Sequence, residues 1–256
     1  MKLLDAVHRK FKLASVTKAR TMIKSGFVLV NNAPVKLPDT EIGPKDELAL
    51  LDHAERRPKK TPYEVLFEDS SILVTVKPAG MLVENFVKQI RNYTPVILTH
   101  RLDQKVSGIM IFAKSGIIEK KLEAEWSKND KIYQALVEGK PSKPEGRIES
   151  YLAENKDLKV FSTTLEKNPE AKLAISDYKV LKREHRGVYR VEVRLLTGRK
   201  NQIRVHMSDL GCPILGDIKY GAKTAMQGRI ALHAYQLSFN HPISHERMTF
   251  MKEAPF

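Results

Sequence analysis

The chain has 256 residues, a formal charge of +14 and a hydrophobic fraction of 42%. That is enough apolar content for a packed core, so wholesale disorder is excluded, and the length allows one large domain or two unequal ones. A single cysteine, Cys212, excludes an internal disulfide framework and a cysteine-based zinc site within one chain. The longest apolar runs, such as 108–113, fall far short of the ~20 residues of a membrane helix. Residues 1–12 mix Asp5 and basic groups among apolar ones, unlike a signal peptide. The expectation is a soluble, cytoplasmic chain with no membrane partner, whose positive charge points to a polyanion, nucleic acid first.

In chain order, Leu3, Leu4, Val7 and Phe11 recur at helical spacing and predict a first amphipathic helix. Ser15 is placed to cap a second helix that turns Ala19, Met22 and Ile23 inward, and Gly26 to end it. Residues 27–30 read as a strand, Asn31 and Asn32 as a turn, and 47–51 as a closing strand. Lys18, Lys24 and, to one side, Arg20 lie off the apolar stripe of the second helix. Two helices with a basic outer face and then a short β ribbon, carrying T-K-A-R-x-x-I-K-x-G and V-x-V-N within residues 2–51, resemble the S4 RNA-binding domain. The resemblance implies that Lys18, Arg20 and Lys24 grip RNA phosphates. Residues 53–62 hold four basic residues, one acid and two prolines with almost no apolar content, and read as a linker. The expected organisation is an S4-like domain over 1–52, a basic linker over 53–62 and a larger domain over 63–256.

The larger unit is rich in predicted strands: 71–76, 108–113, 132–137 and an alternating strand through Tyr189, Val191, Val193 and Leu195. Ser115 is placed to cap a helix with Ile118, Leu122 and Trp126 on one side, and a further helix is expected from the turn at Thr197, Gly198 and Arg199 to about Leu210, closed by Gly211. Helices and strands do not alternate regularly. The expected fold class is therefore α+β, with a mixed or antiparallel sheet and flanking helices in the larger domain.

Several motifs are empty of chemistry. Ser15 and Lys18 fit S-x-x-K, but its partner motifs S-D-N and K-T-G are absent and Ser15 is better explained as a cap. His241 and His245 are four apart with Pro242 between them and no third ligand at useful spacing, so they read as a polar turn and no metal site is expected. Neither G-x-x-x-x-G-K-[ST] nor G-x-G-x-x-G occurs, so no nucleotide cofactor is expected.

The informative segment is H-R-L-D-x-x-x-S-G at 100–108, running into the apolar strand. On charge pattern alone Asp103, flanked by Arg101 and Lys105, reads as a loop aspartate that caps or pairs locally. Three further segments accompany it in order: K-P-A-G at 77–80, K-x-Y-x-A-x-V-x-G at 131–139 and T-G-R-x-N-Q-I-R-x-H at 197–206, followed by A-L-H-A and N-H-P in 231–242. Together these resemble the RluA-type pseudouridine synthases, and the S4-like unit is a common accessory of that family. The chain departs from the family pattern at Val76, at Glu84 and Asn85, at Val106 in place of a usual Thr and at Asn201 in place of a usual His.

The resemblance implies conversion of uridine to pseudouridine within RNA, ribosomal or transfer, with no cofactor. It makes Asp103 the nucleophile, on either the sugar or the base, and pairs Arg204 with that carboxylate. Tyr133 would stack on the uracil and help remove the C5 proton, a role that needs tuning because a phenol ionises near ~10. Leu232 would wall the base. The target must be flipped from its stack, and Arg101, two residues before Asp103, would fill the gap. His100, Arg199 and Gln202 stand in the same motifs and are expected to bind substrate. The alternative is a non-catalytic, ribosome-associated S4-type RNA-binding protein, against which the intact set Asp103, Tyr133 and Arg204 speaks. A nuclease would need paired carboxylates or histidines that the sequence does not assemble.

Overall fold

The computed structural model describes residues 1–11, 13, 15–24, 26–31, 33–50, 61–185 and 187–256, which form two compact units, Met1–Lys60 and Thr61–Phe256. Of the sequence expectations, Asn32 of the turn, Leu51 of the closing strand and linker positions 53–60 lie outside the described residues.

In the first unit, α1 (Leu3–Lys10) and α2 (Val16–Lys24) accompany a three-stranded antiparallel sheet of β1 (Val28–Val30), β2 (Ala33–Pro34) and β3 (Leu48–Leu50), ordered β2-β1-β3. Leu3, Leu4, Ala6 and Val7 of α1 pack with Ala19 and Ile23 of α2 and with Val28, Ile42 and Leu48. Ser15 caps α2 through its Oγ, which accepts the Lys18 amide at 3.1 Å. Gly26 follows the helix at φ +75°, a left-handed conformation that favours glycine. Asn31 takes the same region at φ +52°, and its side-chain oxygen accepts the Glu47 amide at 2.9 Å, tying the β1 turn to the approach to β3. Lys18, Arg20 and Lys24 are all exposed on α2.

The second unit contains β4 (Glu64–Glu68), β5 (Ile72–Lys77), α3 (Val83–Arg91), β6 (Ile97–Leu98), β7 (Ser107–Ala113), α4 (Gly116–Ala124), β8 (Asp130–Glu138), β9 (Glu145–Glu154), β10 (Val160–Thr163), β11 (Lys172–His185), β12 (Val188–Leu195), α5 (Gln202–Asp209), β13 (Leu232–Asn240) and β14 (Arg247–Met251). Its eleven-stranded sheet runs β10-β9-β11-β12-β8-β13-β7-β5-β4, with β14 beside β13 and β6 beside β7. Every pairing is antiparallel except β13 with β7, so the sheet is mixed, as expected.

β7 is buried along its whole length, which explains its unbroken apolar run. Met110 and Phe112 face the cluster that includes Val83, Phe86, Val87 and Ile90 of α3, while Ile109, Ile111 and Ala113 face the one that includes Ile118 and Leu122 of α4. Ser115 caps α4, accepting the Ile118 amide at 3.4 Å. Trp126 is not on that helix, as the sequence suggests, but on a 3-10 turn after it (Trp126–Lys128). The His241 turn is more than polar surface. His241 is buried, Nε2 lies 2.9 Å from Asp69 Oδ2, and Nδ1 accepts the amides of Ile243 and Ser244, so one imidazole pins the turn to the β4–β5 connection.

The parallel pair positions the site. Ser107 lies opposite His233 and Gly108 opposite Ala234, so β7 and β13 start at the same edge of the sheet. A Cβ on Gly108 would stand 2.4 Å from the Ala234 nitrogen, so only glycine admits this approach. Tyr133 of β8 lies opposite Ala234 on the other flank. Three adjacent strands thus gather the loop before β7, the start of β13 and the middle of β8.

Candidate active site

Asp103, Tyr133, Arg204 and Leu232 all line one cavity of about 830 Å³, together with His100, Arg101, Arg199 and Gln202. Its size is that of a site for a small ligand or a single nucleotide. Apolar surface comes from Leu102, Val106, Leu195, Ile203 and Leu232 around the Tyr133 ring.

Asp103 sits on the loop between β6 and β7. Its Oδ2 accepts two hydrogen bonds, from Arg204 Nη1 at 3.0 Å and from Asn201 Nδ2 at 2.5 Å. Arg204, from α5, also forks onto Asp217: Nε to Oδ2 at 2.7 Å and Nη2 to Oδ1 at 2.8 Å. Its guanidinium lies 4.7 Å from the Tyr220 ring centroid. Burial works against the charged form of Arg204. The hydrogen bonds and charge of Asp217, then those of Asp103, outweigh it and raise its pKa above the usual arginine value. Arg204 is therefore a fixed cation that reaches Asp103 from a buried anchor. The family resemblance pairs Asp103 with Arg204 but gives no hint of Asp217 or Tyr220, which precede and end the short 3-10 segment Ile218–Tyr220 after α5 and reach the site only through the fold.

Lys77 organises the loop from behind. It is fully buried, and its Nζ donates to the carbonyls of Pro78 (2.8 Å), Met81 (2.8 Å), Gln104 (3.3 Å) and Val106 (2.9 Å). Three N–H groups for four acceptors means that one is shared. Burial pulls its pKa down to about 8, against the opposing charge of Asp103. The K-P-A-G segment thus holds the part of the loop that follows Asp103, at Gln104 and Val106.

Several sequence-assigned residues are engaged with the protein itself. The side chain of Gln202 is buried, and its amide is fully occupied: Oε1 accepts Thr197 Oγ1 (2.8 Å) and the Arg199 amide (3.0 Å), while Nε2 donates to Ile175 O (2.9 Å) and Ser176 Oγ (2.9 Å). It holds the T-G-R turn rather than offering a contact to substrate. His100 likewise turns its Nε2 to accept the Ile111 amide at 3.0 Å and lays its ring 4.6 Å from Trp126. Burial, then Lys131, lowers its pKa to about 3, so the ring is neutral and anchors the loop. Arg199 is exposed at the mouth, its Nε on Leu173 O at 2.9 Å. Arg101 is also exposed and pairs with Glu84 at 2.6 Å. Tyr133 is pushed the wrong way for a base: burial, then the charge of Asp103, raises its pKa well above the ordinary phenol value. It is a neutral ring at working pH.

His206 and His233 are buried as well, and burial lowers each to about 4. With His100, they are groups whose folded pKa lies below the unfolded value of about 6.5. The unfolded chain then binds more protons as the pH falls below that value. Stability is present above it and is lost as pH falls towards 4, each histidine steepening the fall by up to about 1.4 kcal/mol per pH unit. Urea midpoints measured from pH 7 to 4.5 are expected to drop steadily, and less steeply in His233→Asn. Midpoints that do not change over that range would sink this account.

Among the described residues no grouping of three or more His, Cys, Asp or Glu side chains is arranged to hold a metal ion. None of the described helices is long and apolar enough to cross a membrane.

The family model described as RNA pseudouridylate synthase matches residues 71–209, and that of the S4 domain matches residues 1–48. The chain belongs to the RNA pseudouridine synthase family. It is an enzyme that isomerises uridine in RNA. An RNA pseudouridine synthase of Aquifex aeolicus is 30% identical over 92% of this chain and 84% of its own length. The ribosomal large subunit pseudouridine synthase C of Rickettsia conorii is 30% identical over 95% of this chain and 84% of its own. The corresponding synthase D of Neisseria meningitidis serogroup A is 31% identical over 98% and 75%. The solved structure of human RNA pseudouridylate synthase domain containing 1 shares the fold, with a TM-score of 0.67 and 24% identity over 76% of this chain and 84% of that one.

Proposed function

We propose that the substrate is large-subunit ribosomal RNA, that the chain acts in the cytoplasm, and that Asp103 is the nucleophile. The observation that carries the catalytic assignment is the Asp103 carboxylate at the cavity wall, gripped by Arg204, in a cavity that Tyr133 and Leu232 also line. The substrate class is supported by relatives that are named for the large ribosomal subunit and match nearly the whole chain. Isomerisation breaks the bond from C1′ to N1, forms one from C1′ to C5, and exchanges a proton at C5 for one at N1, with no net oxidation. Asp103 attacks either C1′ or the base. Tyr133 and Leu232 hold the uracil as a neutral ring and an apolar wall, and Arg101 leaves Glu84 to occupy the gap in the RNA stack. The test is tritium release from large-subunit RNA labelled at uridine C5, with Asp103→Asn as the comparison. Release only from transfer RNA would overturn the substrate assignment.

The division into an S4 module over 1–52, a linker over 53–62 and a catalytic domain over 63–256 belongs to the same proposal. Lys18, Arg20 and Lys24 are exposed on one helix and serve RNA phosphates. Changing all three to Gln is expected to flatten the fall of log affinity with log salt by roughly 2–3 in slope, with kcat little changed. The same slope for both proteins would remove the helix from the RNA interface.

A further inference from the structure

We propose that Asn201 is a positioning residue that, with Arg204, occupies Oδ2 of Asp103 and so leaves Oδ1 as the oxygen that attacks the uridine. The inference rests on the reading of Asp103 as nucleophile and adds the atom and the device that selects it. Both hydrogen bonds to the carboxylate fall on the same oxygen, 2.5 Å from Asn201 Nδ2 and 3.0 Å from Arg204 Nη1. Two donors on one oxygen fix the rotation of the carboxylate about its Cβ–Cγ bond, which a single partner does not.

Asn201 is itself held. Its Oδ1 accepts the Tyr220 hydroxyl at 3.1 Å, and that hydroxyl accepts the Val160 amide at 3.2 Å. The Val160 amide donates only, so the phenolic proton goes to Asn201. That makes the facing amide atom the oxygen and turns Nδ2 to the carboxylate, which accepts only. The chain of bonds runs from β10 through Tyr220 and Asn201 to Asp103. The Tyr220 ring meanwhile packs on Arg204, the other donor to the same oxygen. Asn201 stands at φ +53° just before α5, a left-handed conformation that asparagine tolerates better than most residues. The side chain that the family pattern usually carries here, an imidazole, changes its donor count with pH; an amide does not.

The step served is an electron-pair transfer. An Oδ1 lone pair forms a bond to C1′ as the pair of the glycosidic bond leaves on N1. On the base instead, it forms a bond to C6 as the C5–C6 π pair moves to C5 and its conjugated carbonyl. Either requires Oδ1 to be aimed, and a misplacement of an ångström costs on the order of a hundredfold.

The experiment compares wild type with Asn201→Gly, which keeps the left-handed backbone and removes the amide, Tyr220→Phe, which keeps the ring on Arg204 and removes the hydroxyl, and Asn201→His. Asn201→Gly is expected to lower kcat by roughly ten- to hundredfold with KM within about threefold. Tyr220→Phe should move kcat in the same direction by less. Asn201→His should add an inflection to the pH profile of kcat near about 6.5 that wild type lacks. Should Asn201→Gly not fold, Tyr220→Phe and the pH profile decide. A kcat within about twofold of wild type in the folded variants, or a loss confined to KM, overturns the proposal. Asp103→Asn, run in parallel, separates the two failures. If it is inactive while Asn201→Gly is normal, only the positioning role falls. If Asp103→Asn is active, the nucleophile and the positioning role fall together.

Discussion

Asp103→Asn is expected to reduce tritium release by at least about a thousandfold, while RNA affinity stays within a few-fold and the fold survives. An amide has no lone pair of carboxylate basicity to offer, so the covalent step is lost rather than slowed by misplacement. The side chain is nearly isosteric and about a third exposed. The amide oxygen can still accept from Arg204, so the cost in stability is that of weakening two hydrogen bonds to a charged group, about 1.5–3 kcal/mol. RNA contacts spread over the cavity mouth and, by proposal, α2 do not depend on it. Activity within tenfold of wild type would return the chain to the RNA-binding alternative or place the chemistry elsewhere.

How much of this was legible in the sequence follows from where each signal resides. α1, α2, β7 and α4 are carried by local features, namely apolar spacing, Ser15 and Ser115 as caps, and a continuous buried run, and they were readable as such. The long strands β9 and β11 were not. β9 exposes Glu145, Arg147 and Glu149 on one face, but its other face carries Gly146 and Ser150 beside Ile148 and buried Leu152, so no apolar alternation marks it in the sequence. α3 carries its signal in the spacing of Val83, Phe86, Val87 and Ile90, a short helix between the K-P-A-G and H-R-L-D motifs that the sequence reading does not include. At the site, Asp103, Arg204, Tyr133 and Leu232 could be nominated through motifs and do converge. Asp217 and Tyr220 could not, because their part is defined by tertiary contact with Arg204 and Asn201. Gln202 and His100 are expected to bind substrate because they stand in the motifs, but motif membership does not say which way a side chain faces. Only the geometry shows that their polar atoms are taken up by backbone and neighbouring side chains. Asn201 is the reverse case: a departure from the expected pattern that the structure turns into a direct contact with Asp103.

Arg204→Met is expected to cost about 3–5 kcal/mol of stability and nearly all activity. The reason lies on the far side of the guanidinium from the substrate. Asp217 has 2% of its side chain exposed and receives both of its side-chain hydrogen bonds among the described residues from Arg204 Nε and Nη2. Met fills similar volume, so the change leaves no large cavity, but it strands a carboxylate where water hardly reaches. Asp103 also loses one of the two donors on Oδ2 and keeps only Asn201. The two effects can be told apart. Arg204→Met combined with Asp217→Leu removes the stranded charge and should recover much of the melting temperature while activity stays absent, because Asp103 remains unaimed. Recovery of both together would mean that Arg204 serves only the fold. A single Arg204→Met variant with wild-type melting and rate would show that neither carboxylate depends on it.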